Sequence, residues 1–222
     1  MDSTMHLTLT SLPLLQGVSA TDFAQILDQT NYKYIECEKG ELLMERGAAC
    51  QHLTFLIEGT LQVDTQYDGH YSFTEYISSP GPIEPEILYG IRRQYASTYI
   101  TASDCRLLKI PKTDVNRMIG HIEVFRLNYL NLLSTLAVRR LDTTRPSRTA
   151  GLRERIVHFL TIHATQPFGP KRFRIRKSDL GEYVDASRVA VSAVLHQMQD
   201  EGLLTCERGY IEIPNMEKLM IW

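Results

Sequence analysis

Two short amphipathic segments follow each other in residues 177–204, KSDLGEYVDASRVAVSAVLHQMQDEGLL. We expect Ser178 to cap a first short helix, because its hydroxyl can accept a hydrogen bond from a free N–H of the first turn. After a turn at residues 184–186, we expect Ser187 to cap a second helix that ends near Gly202. Two short helices joined by such a turn have the dimensions of a helix-turn-helix. The stretch therefore predicts that motif.

The second helix, predicted over Ser187–Glu201, divides into two faces. One face is apolar and should pack in a core; its members are Val191, Val194, Leu195 and Met198. The other face has small side chains and almost no acid, which suits insertion into a DNA major groove. On and around that face, the candidate DNA-binding residues are Ser178, Ser187, Arg188, Val189, Ser192 and His196.

Each of these side chains has a definite chemistry for DNA. Arg188 can donate two hydrogen bonds to a guanine edge or bind a phosphate, and Val189 can contact a thymine methyl group. Ser192 and His196 can hydrogen-bond to base edges or to the backbone. A single exposed arginine is usually only solvated, so the prediction depends on the combination of features.

A hairpin is predicted immediately after the second helix. The segment LLTCERGYIEIP has Arg208 and Gly209 at its tip, as in the wing of a winged helix. Arg208 is a candidate phosphate contact. With the preceding helices, this hairpin completes a predicted winged helix-turn-helix.

The charge distribution agrees with a nucleic-acid partner for the C-terminal part. The net charge of the chain is only −2. Counted from the sequence, residues 1–144 have a balance of −5 and residues 145–222 a balance of +3. This asymmetry is expected if only the C-terminal part meets a polyanion, although a solvated basic surface without a partner would explain it equally well.

The first half of the chain has the pattern of a small antiparallel barrel or sandwich. Short β segments fill residues 32–110, with turn signals between them. One such signal is Asp68-Gly69, which suits a tight hairpin turn. Residues 113–142 then change to helical periodicity.

That helical region is apolar on two sides, so we expect both sides to be covered. One stripe contains Ile122, Phe125, Tyr129, Leu132 and Leu136, and the other contains Leu127, Leu130, Leu133, Ala137 and Leu141. One stripe can pack on the barrel while the other pairs with a second copy of the same helix. The alternative is a helix buried wholly within its own subunit. We favour the homodimer and predict three domains, at residues 1–118, 119–144 and 145–222.

Several classes of protein are disfavoured by the sequence. The chain begins without the pattern of a signal peptide and has no apolar run long enough to span a membrane, which predicts a cytoplasmic protein. Its four cysteines are scattered, without the spacing of a metal or iron–sulfur site. No nucleophile–base pair or metal cluster is visible, so we predict that the chain is not an enzyme.

The motifs resemble the CRP/FNR-type transcription regulators, the family of the cyclic-AMP receptor protein. The resemblance lies in Lys39–Val63, in Ala102–Ile119 and in the helix-turn-helix, where the family's Ser-Arg pair is matched by Ser187 and Arg188. It implies an α+β fold: an N-terminal antiparallel β jelly roll of the cyclic-nucleotide-binding type, a long dimerisation helix and a C-terminal winged helix-turn-helix. It also implies double-stranded DNA, RNA polymerase and a small-molecule effector as partners.

The sequence departs from this family in the cassette that cradles the cyclic-nucleotide phosphate. Tyr95 and Ala96 occupy the place of the family's Arg-Ser pair, and Pro85 stands where an amide donor would be wanted. We therefore expect that the sensor does not bind cyclic AMP in the family's way, and its cofactor and effector are unknown. The candidate effector-pocket residues are Glu84, Glu86, Arg92, Arg93, Tyr95 and Ala96, with a solvated loop as the alternative for the two arginines.

The recognition helix also departs from the family pattern. Best-known members follow the Ser-Arg pair with a Glu and, one turn later, an Arg, where this chain has Val189 and Ala193. DNA binding is compatible with this change, but the familiar half-site is not implied.

Two alternative functions fit parts of the sequence. A cyclic-nucleotide-binding module of an enzyme or channel would share the jelly roll, but such chains lack a C-terminal helix-turn-helix. A haem or redox sensor regulator could use the same scaffold. Its possible iron ligands are His6, His52, His70 and His121, although no spacing singles any of them out.

Overall fold

The computed structural model describes residues 12–19, 21–22, 30–67, 71–142, 150–166 and 168–220. Contacts divide the chain into two compact units. The first unit consists of residues 1–61 and 78–139, and the second unit consists of residues 62–77 and 140–222. The hairpin of residues 62–77 therefore belongs to a different unit from the segments that precede and follow it.

The described strands of the first unit pair in antiparallel fashion, as predicted. One sheet has the strand order β1-β8-β3-β6, and β2 pairs with β7. The strand bounds are β1 Lys33–Cys37, β2 Leu42–Met44, β3 His52–Glu58, β4 Thr60–Tyr67, β5 Tyr71–Ser78, β6 Gly81–Ile83, β7 Ser97–Thr101 and β8 Cys105–Pro111. Strands β4 and β5 begin and end in the first unit, respectively, and their remaining residues lie in the second.

The core of the first unit lies against the apolar faces of these strands. On β7, Ser97, Tyr99 and Thr101 are buried and alternate with less buried residues, because successive side chains of a strand point to opposite faces. Phe55 on β3 stands opposite Leu108 on β8, and both side chains are buried. This packing fixes the register of the sheet.

In place of the single helical region predicted over residues 113–142, the described residues there form two successive helices. They are α1 (Lys112–His121) and α2 (Glu123–Asp142). Between them, Ile122 is extended, with φ −115° and ψ 100°, and its side chain is buried. Gly120 precedes this break, and glycine weakens a helix. The helical periodicity of the sequence is thus observed with one interruption.

The second unit contains the described C-terminal elements and the hairpin. Its sheet has the order β10-β11-β9-β5-β4, in which the two hairpin strands extend the C-terminal sheet. The additional elements are α3 Leu152–Thr161, β9 Lys171–Ile175, α4 Lys177–Tyr183, α5 Arg188–Asp200, β10 Thr205–Glu207, β11 Tyr210–Ile213 and α6 Met216–Met220. Together they form the predicted winged helix-turn-helix, and the predicted α+β fold class is confirmed.

The hairpin contributes part of the core of this second unit. Phe73 on β5 stands opposite Phe173 on β9, and both rings are fully or almost fully buried with centroids 4.6 Å apart. The predicted domain boundaries assign this hairpin to residues 1–118, whereas its packing is with the C-terminal residues. Strand pairing between distant segments leaves no local trace in the sequence, so the sequence could not assign the hairpin to the C-terminal residues. The three domain boundaries stay a prediction. The turn at Asp68-Gly69 lies outside the described residues.

A buried ion pair also joins the hairpin to the C-terminal residues. Lys171 Nζ lies 3.3 Å from Glu75 Oε2, with both side chains at most 2% exposed. The Glu75 carboxylate accepts hydrogen bonds from the backbone N–H of Thr165 (3.0 and 3.1 Å), and Lys171 Nζ donates to the Phe168 carbonyl (2.8 Å). These bonds meet the requirement that buried charges be paired and hydrogen-bonded.

Candidate nucleic-acid interface and sensor pocket

The turn between α4 and α5 is set by close backbone packing. The Ala186 N–H donates to the Gly181 carbonyl (2.9 Å), and Asp185 takes a left-handed conformation with φ 49°. A Cβ on Gly181 would lie only 2.6 Å from the Ala186 oxygen. Glycine therefore permits the two helices to approach at the angle that the motif requires.

Helix α5 begins and packs as its sequence predicts. The Ser187 hydroxyl accepts a hydrogen bond from the Ala190 N–H (3.2 Å), which caps the helix. Val191, Leu195 and Met198 are fully buried in the core of the second unit. Because one face is fixed inside, the opposite face is held outward.

The outward face of α5 presents most of the candidate DNA-binding side chains. Arg188, Val189 and His196 are exposed, and Ser192 is half-buried. Lys177 Nζ donates a hydrogen bond to the Ser192 hydroxyl (3.0 Å), which brings a cation beside this face. Sequence reasoning missed Lys177, because its position next to Ser192 depends on the packing of α4 against α5.

Ser178 does not cap the first helix, contrary to the expectation from sequence. Helix α4 begins at Lys177, and its capping position is Arg176, whose side chain makes no capping bond. Ser178 lies within the first turn and is exposed, and its hydroxyl donates to Asp179 Oδ1 (2.9 Å). The strand β9 ends at Ile175, Arg176 is still extended, and the helical conformation begins at the next residue, Lys177. The helix therefore starts earlier than predicted.

The predicted wing is a short hairpin attached to α5. Strands β10 and β11 pair around Gly209, which has φ 84°, and Arg208 at the tip is exposed. Gln199 of α5 accepts a hydrogen bond through Oε1 from the Cys206 N–H (2.8 Å). This bond holds the wing to the helix whose outward face carries the candidate residues.

A basic surface lies on β9, and its two arginines are not among the candidate residues named from the sequence. Arg172 and Arg174 are exposed on the same face of this strand, and their guanidinium carbons lie 4.2 and 5.9 Å from the ring centroid of Tyr210 on β11. The alternation of basic and apolar residues in KRFRI is the signal that could have identified them. Arg172 Nε lies 3.2 Å from Glu212 Oε1, which offsets its charge, so Arg174 adds more than Arg172 to the positive surface of the second unit.

In the first unit, the carboxylate of Glu84 is hydrogen-bonded by neighbouring residues of the same unit. Its backbone is left-handed, with φ 38°, just before the 3₁₀ turn Pro85–Leu88. Its carboxylate accepts hydrogen bonds from the Ala96 N–H (3.0 Å) and the Tyr99 hydroxyl (2.8 Å). Burial raises the pKa of Glu84, while these two hydrogen bonds act in the opposite direction. The carboxylate thus occupies two donors that a ligand anion could otherwise use.

The other candidate pocket residues are in different environments. Tyr95 is buried, and burial raises the pKa of its hydroxyl. Arg92 and Arg93 are exposed, as is Ala96, and Glu86 is half-buried. The structure therefore brings Glu84 and Ala96 into contact but leaves the two arginines at the surface.

Two of the four histidines considered as haem ligands, His52 and His121, lie within the described residues. His52 is half-buried, and burial lowers its pKa, whereas His121 is exposed. His6 and His70 lie outside the described residues. Within the described stretches, no group of three or more His, Cys, Asp or Glu side chains is arranged to hold a metal ion. In the same part of the chain, no helix has the length and apolar character needed to cross a membrane.

Comparisons with known proteins match both parts of the chain. The cyclic nucleotide-binding domain family matches residues 34–121, and the Crp-like helix-turn-helix domain family matches residues 154–221. A cyclic AMP receptor protein of Thermus thermophilus is 24% identical over 185 residues, which cover 79% of this chain and 81% of that protein.

Solved structures of similar fold cover nearly the whole chain. A transcriptional regulator of the Crp/Fnr family from Eubacterium rectale has a TM-score of 0.53 at 19% identity and covers 94% of this chain and 96% of its own. DNR from Pseudomonas aeruginosa has a TM-score of 0.51 at 18% identity and covers 100% of this chain and 98% of its own. At such identities, the likeness establishes the fold.

Proposed function

The chain belongs to the CRP/FNR-type family of DNA-binding transcription regulators with a sensor domain, and we propose that it recognises specific DNA sites as a homodimer. The observation that carries this proposal is the outward face of α5. There Arg188 and Val189 are exposed in the first turn, over a helix that is capped by Ser187. The N-terminal residues of a recognition helix are the ones that reach base edges in the major groove.

Each part of the second unit has its own role in this proposal. Arg188 reads a guanine edge, and Val189 contacts a thymine methyl group. Arg208 on the wing and Lys177 beside Ser192 bind phosphates and set the register of the helix. Ser178, Ser187, Ser192 and His196 add hydrogen bonds to the backbone or to base edges; Ser178 does so from the first turn of α4.

The proposed dimer uses the second apolar stripe of α2. Leu127 and Leu130 are 50% and 54% exposed, whereas Phe125 and Tyr129 on the other stripe are buried in the first unit. Pairing two copies of α2 would remove these leucines from water. It would also place two recognition helices against half-sites about one turn of DNA, roughly 34 Å, apart.

The proposed effector of the sensor differs from cyclic AMP. The Ala96 N–H, at the position of the family's phosphate-binding pair, already donates to Glu84. An entering phosphate would meet a carboxylate there, and the exposed Arg92 and Arg93 lie outside that contact. The effector is therefore a small molecule of another class, and RNA polymerase is the partner through which the bound protein acts.

The test of base reading is a titration of DNA with Arg188→Ala, using sites first identified by genome-wide mapping of bound DNA. We expect specific binding to weaken by about 1–3 kcal/mol, while binding to random DNA changes much less. Lys39→Ala, at an exposed cation of the first unit outside the candidate effector pocket, is the control and should leave both affinities unchanged. Unchanged specific affinity for Arg188→Ala would contradict the proposed role.

Two further measurements test the dimer and the effector. Leu130→Glu should give a monomer in analytical ultracentrifugation, whereas Asn131→Glu, at an exposed neighbour, should remain a dimer. Calorimetry with cyclic AMP and with cyclic GMP should detect no binding. Micromolar affinity for either nucleotide would contradict this proposal, because it would mean that a phosphate can displace the Glu84 carboxylate from the Ala96 N–H.

A further inference from the structure

Cys37 and Cys105 face each other across two paired strands of the first unit. They are direct partners in the antiparallel register of β1 and β8, although 68 positions separate them in the sequence. Side chains of such partners lie on the same face of a sheet, with Cα atoms about 4.5 or 5.5 Å apart. A disulfide requires a Cα separation of roughly 4.4–6.8 Å. The register therefore places the two Cα atoms within the range of separations that a disulfide requires.

Both thiols are reduced and mostly buried. The exposed fractions are 7% for Cys37 and 3% for Cys105. Cys105 Sγ donates to the carbonyl oxygens of Ser103 (3.2 Å) and Thr60 (3.4 Å), which holds it near β4. Because the two strands are already in register, bridging requires rotation of the cysteine side chains rather than movement of the backbone.

The pair opens on a cavity of about 480 Å³ that is strongly acidic. Besides the two cysteines and Arg106, its lining consists of Glu36, Glu38, Glu41, Glu58 and Asp104. Arg106 is engaged with Glu58, since its Nη2 lies 3.1 Å from Glu58 Oε2. The cavity thus repels anions, including anionic disulfides such as oxidised glutathione, and admits small uncharged molecules.

We propose that Cys37 and Cys105 form a redox-active dithiol that is oxidised by a small uncharged peroxide. The Cys37 thiolate attacks one oxygen of hydrogen peroxide, which gives a sulfenic acid on Cys37 and releases hydroxide, which takes up a proton to form water. The Cys105 sulfur then attacks the Cys37 sulfur, the S–S bond forms, and the sulfenic oxygen leaves with the thiol proton as a second water. In sum, two thiols lose two electrons and two protons, and one peroxide becomes two waters.

The environment of Cys37 sets the rate of this reaction. Burial raises the pKa of its thiol, and the adjacent Glu41 raises it further. Since the thiolate is the nucleophile, oxidation is slow at neutral pH and accelerates about tenfold per pH unit until the thiol is ionised. The pair therefore responds to sustained oxidant and returns to the dithiol with a small uncharged dithiol reductant.

The experiment treats the full-length reduced protein with hydrogen peroxide, then counts free thiols and maps cross-linked peptides by mass spectrometry. We expect two of the four thiols to disappear, with a Cys37–Cys105 cross-linked peptide that dithiothreitol reverses. Oxidised glutathione at the same concentration should act at least about tenfold more slowly. Cys37→Ser and Cys105→Ser should each abolish the cross-link, whereas Cys206→Ser, in the second unit, should retain it.

Circular dichroism of the Cys37→Ser and Cys105→Ser variants verifies that they are folded when the cross-link is absent. The cross-link in the wild type and in Cys206→Ser is measured in separate samples, so the proposal stays testable if a serine variant does not fold. Cys37 recovered as sulfinic acid beside a free Cys105 would overturn the proposal. So would a cross-link that forms only between chains, or a rate that does not rise between about pH 7 and about pH 9. The outcome is independent of whether the chain binds DNA as proposed.

Discussion

Helix α5 of the second unit and the loop after β6 of the first unit both carry polar residues that the sequence singles out, but the fold uses them differently. On α5, Val191 and Leu195 are buried, so Arg188 is held outward with its guanidinium in solvent. In the loop, Glu84 is turned inward and satisfied by Ala96 and Tyr99. A surface whose polar groups face solvent can bind a partner directly. A loop whose polar groups are already hydrogen-bonded to each other must break those bonds before it can bind a ligand.

Two ion pairs, one from each unit, show a similar contrast between interior and surface. Glu75 and Lys171 of the second unit are almost completely buried, whereas Glu58 and Arg106 of the first unit are 53% and 52% exposed. A buried pair costs stability when one partner is removed, and an exposed pair contributes little. Four expected outcomes test this contrast between interior and surface.

The largest effect should come from the hairpin's aromatic residue. Phe73→Ala should lower the free energy of unfolding by about 4 kcal/mol, because it leaves a cavity beside Phe173 in the core of the second unit. Tyr76→Ala, at a position 40% exposed on the same strand, is the matched control and should cost less than about 1 kcal/mol. Equal losses in urea unfolding followed by circular dichroism would mean that the hairpin is not part of this core.

The buried ion pair should give the next effect. Glu75→Gln removes the charge that compensates Lys171 and should cost about 3 kcal/mol in urea unfolding. Glu58→Gln, in the exposed pair with Arg106, should cost about 0–1 kcal/mol. A cost below 1 kcal/mol for Glu75→Gln would indicate that Lys171 finds another partner, such as water.

A smaller effect should follow from crowding the helix-turn-helix turn. Gly181→Ala should cost about 1–3 kcal/mol, because its methyl group would meet the Ala186 oxygen, a backbone atom that cannot move alone. Gly120→Ala is the control, since a Cβ there meets nothing within 4 Å. It should stabilise the protein by about 0.4–1 kcal/mol, because alanine restricts the unfolded chain. Thermal unfolding that moves both variants in the same direction would refute this account.

The smallest effects are two opposite dependences of stability on pH. His163 donates through Nδ1 to the Phe159 carbonyl (2.7 Å) and accepts at Nε2 from the Tyr71 hydroxyl (2.7 Å), so it is held neutral. Burial lowers the pKa of His163 below 6.5 in the folded protein. In the pH range between the folded and unfolded pKa values, the unfolded chain therefore binds more protons than the folded chain does. Its contribution to the free energy of unfolding therefore rises as pH rises toward 6.5, by at most about 1.4 kcal/mol per pH unit.

Glu84 should act in the other direction. Burial raises its pKa above 4.5, so the folded chain binds more protons just above that pH, and this contribution falls as pH rises. Comparison of urea midpoints between about pH 4.5 and about pH 6.5 should show that His163→Gln removes a rising component and Glu84→Gln removes a falling one. Parallel pH profiles for the two variants would contradict the assignment of opposite burial effects.

The sequence by itself determined the elements whose causes are local. The cap at Ser187, the apolar face of α5 and the wing at Gly209 follow from side-chain chemistry and from spacings of three or four residues, and the structure contains all three. Helical periodicity also located the region that contains α1 and α2, but not the break at Ile122. The capping role expected of Ser178 failed because the helix α4 begins two residues earlier, with Arg176 in the capping position.

Only the tertiary structure decided which distant residues meet. It placed Phe73 and Glu75 in the core of the second unit, Lys177 beside Ser192, and Cys37 opposite Cys105. It also turned Glu84 toward Ala96 and left Arg92 and Arg93 in solvent. The physical reason is the same in each case: strand pairing and packing depend on contacts between segments far apart in the chain, and no local propensity encodes them.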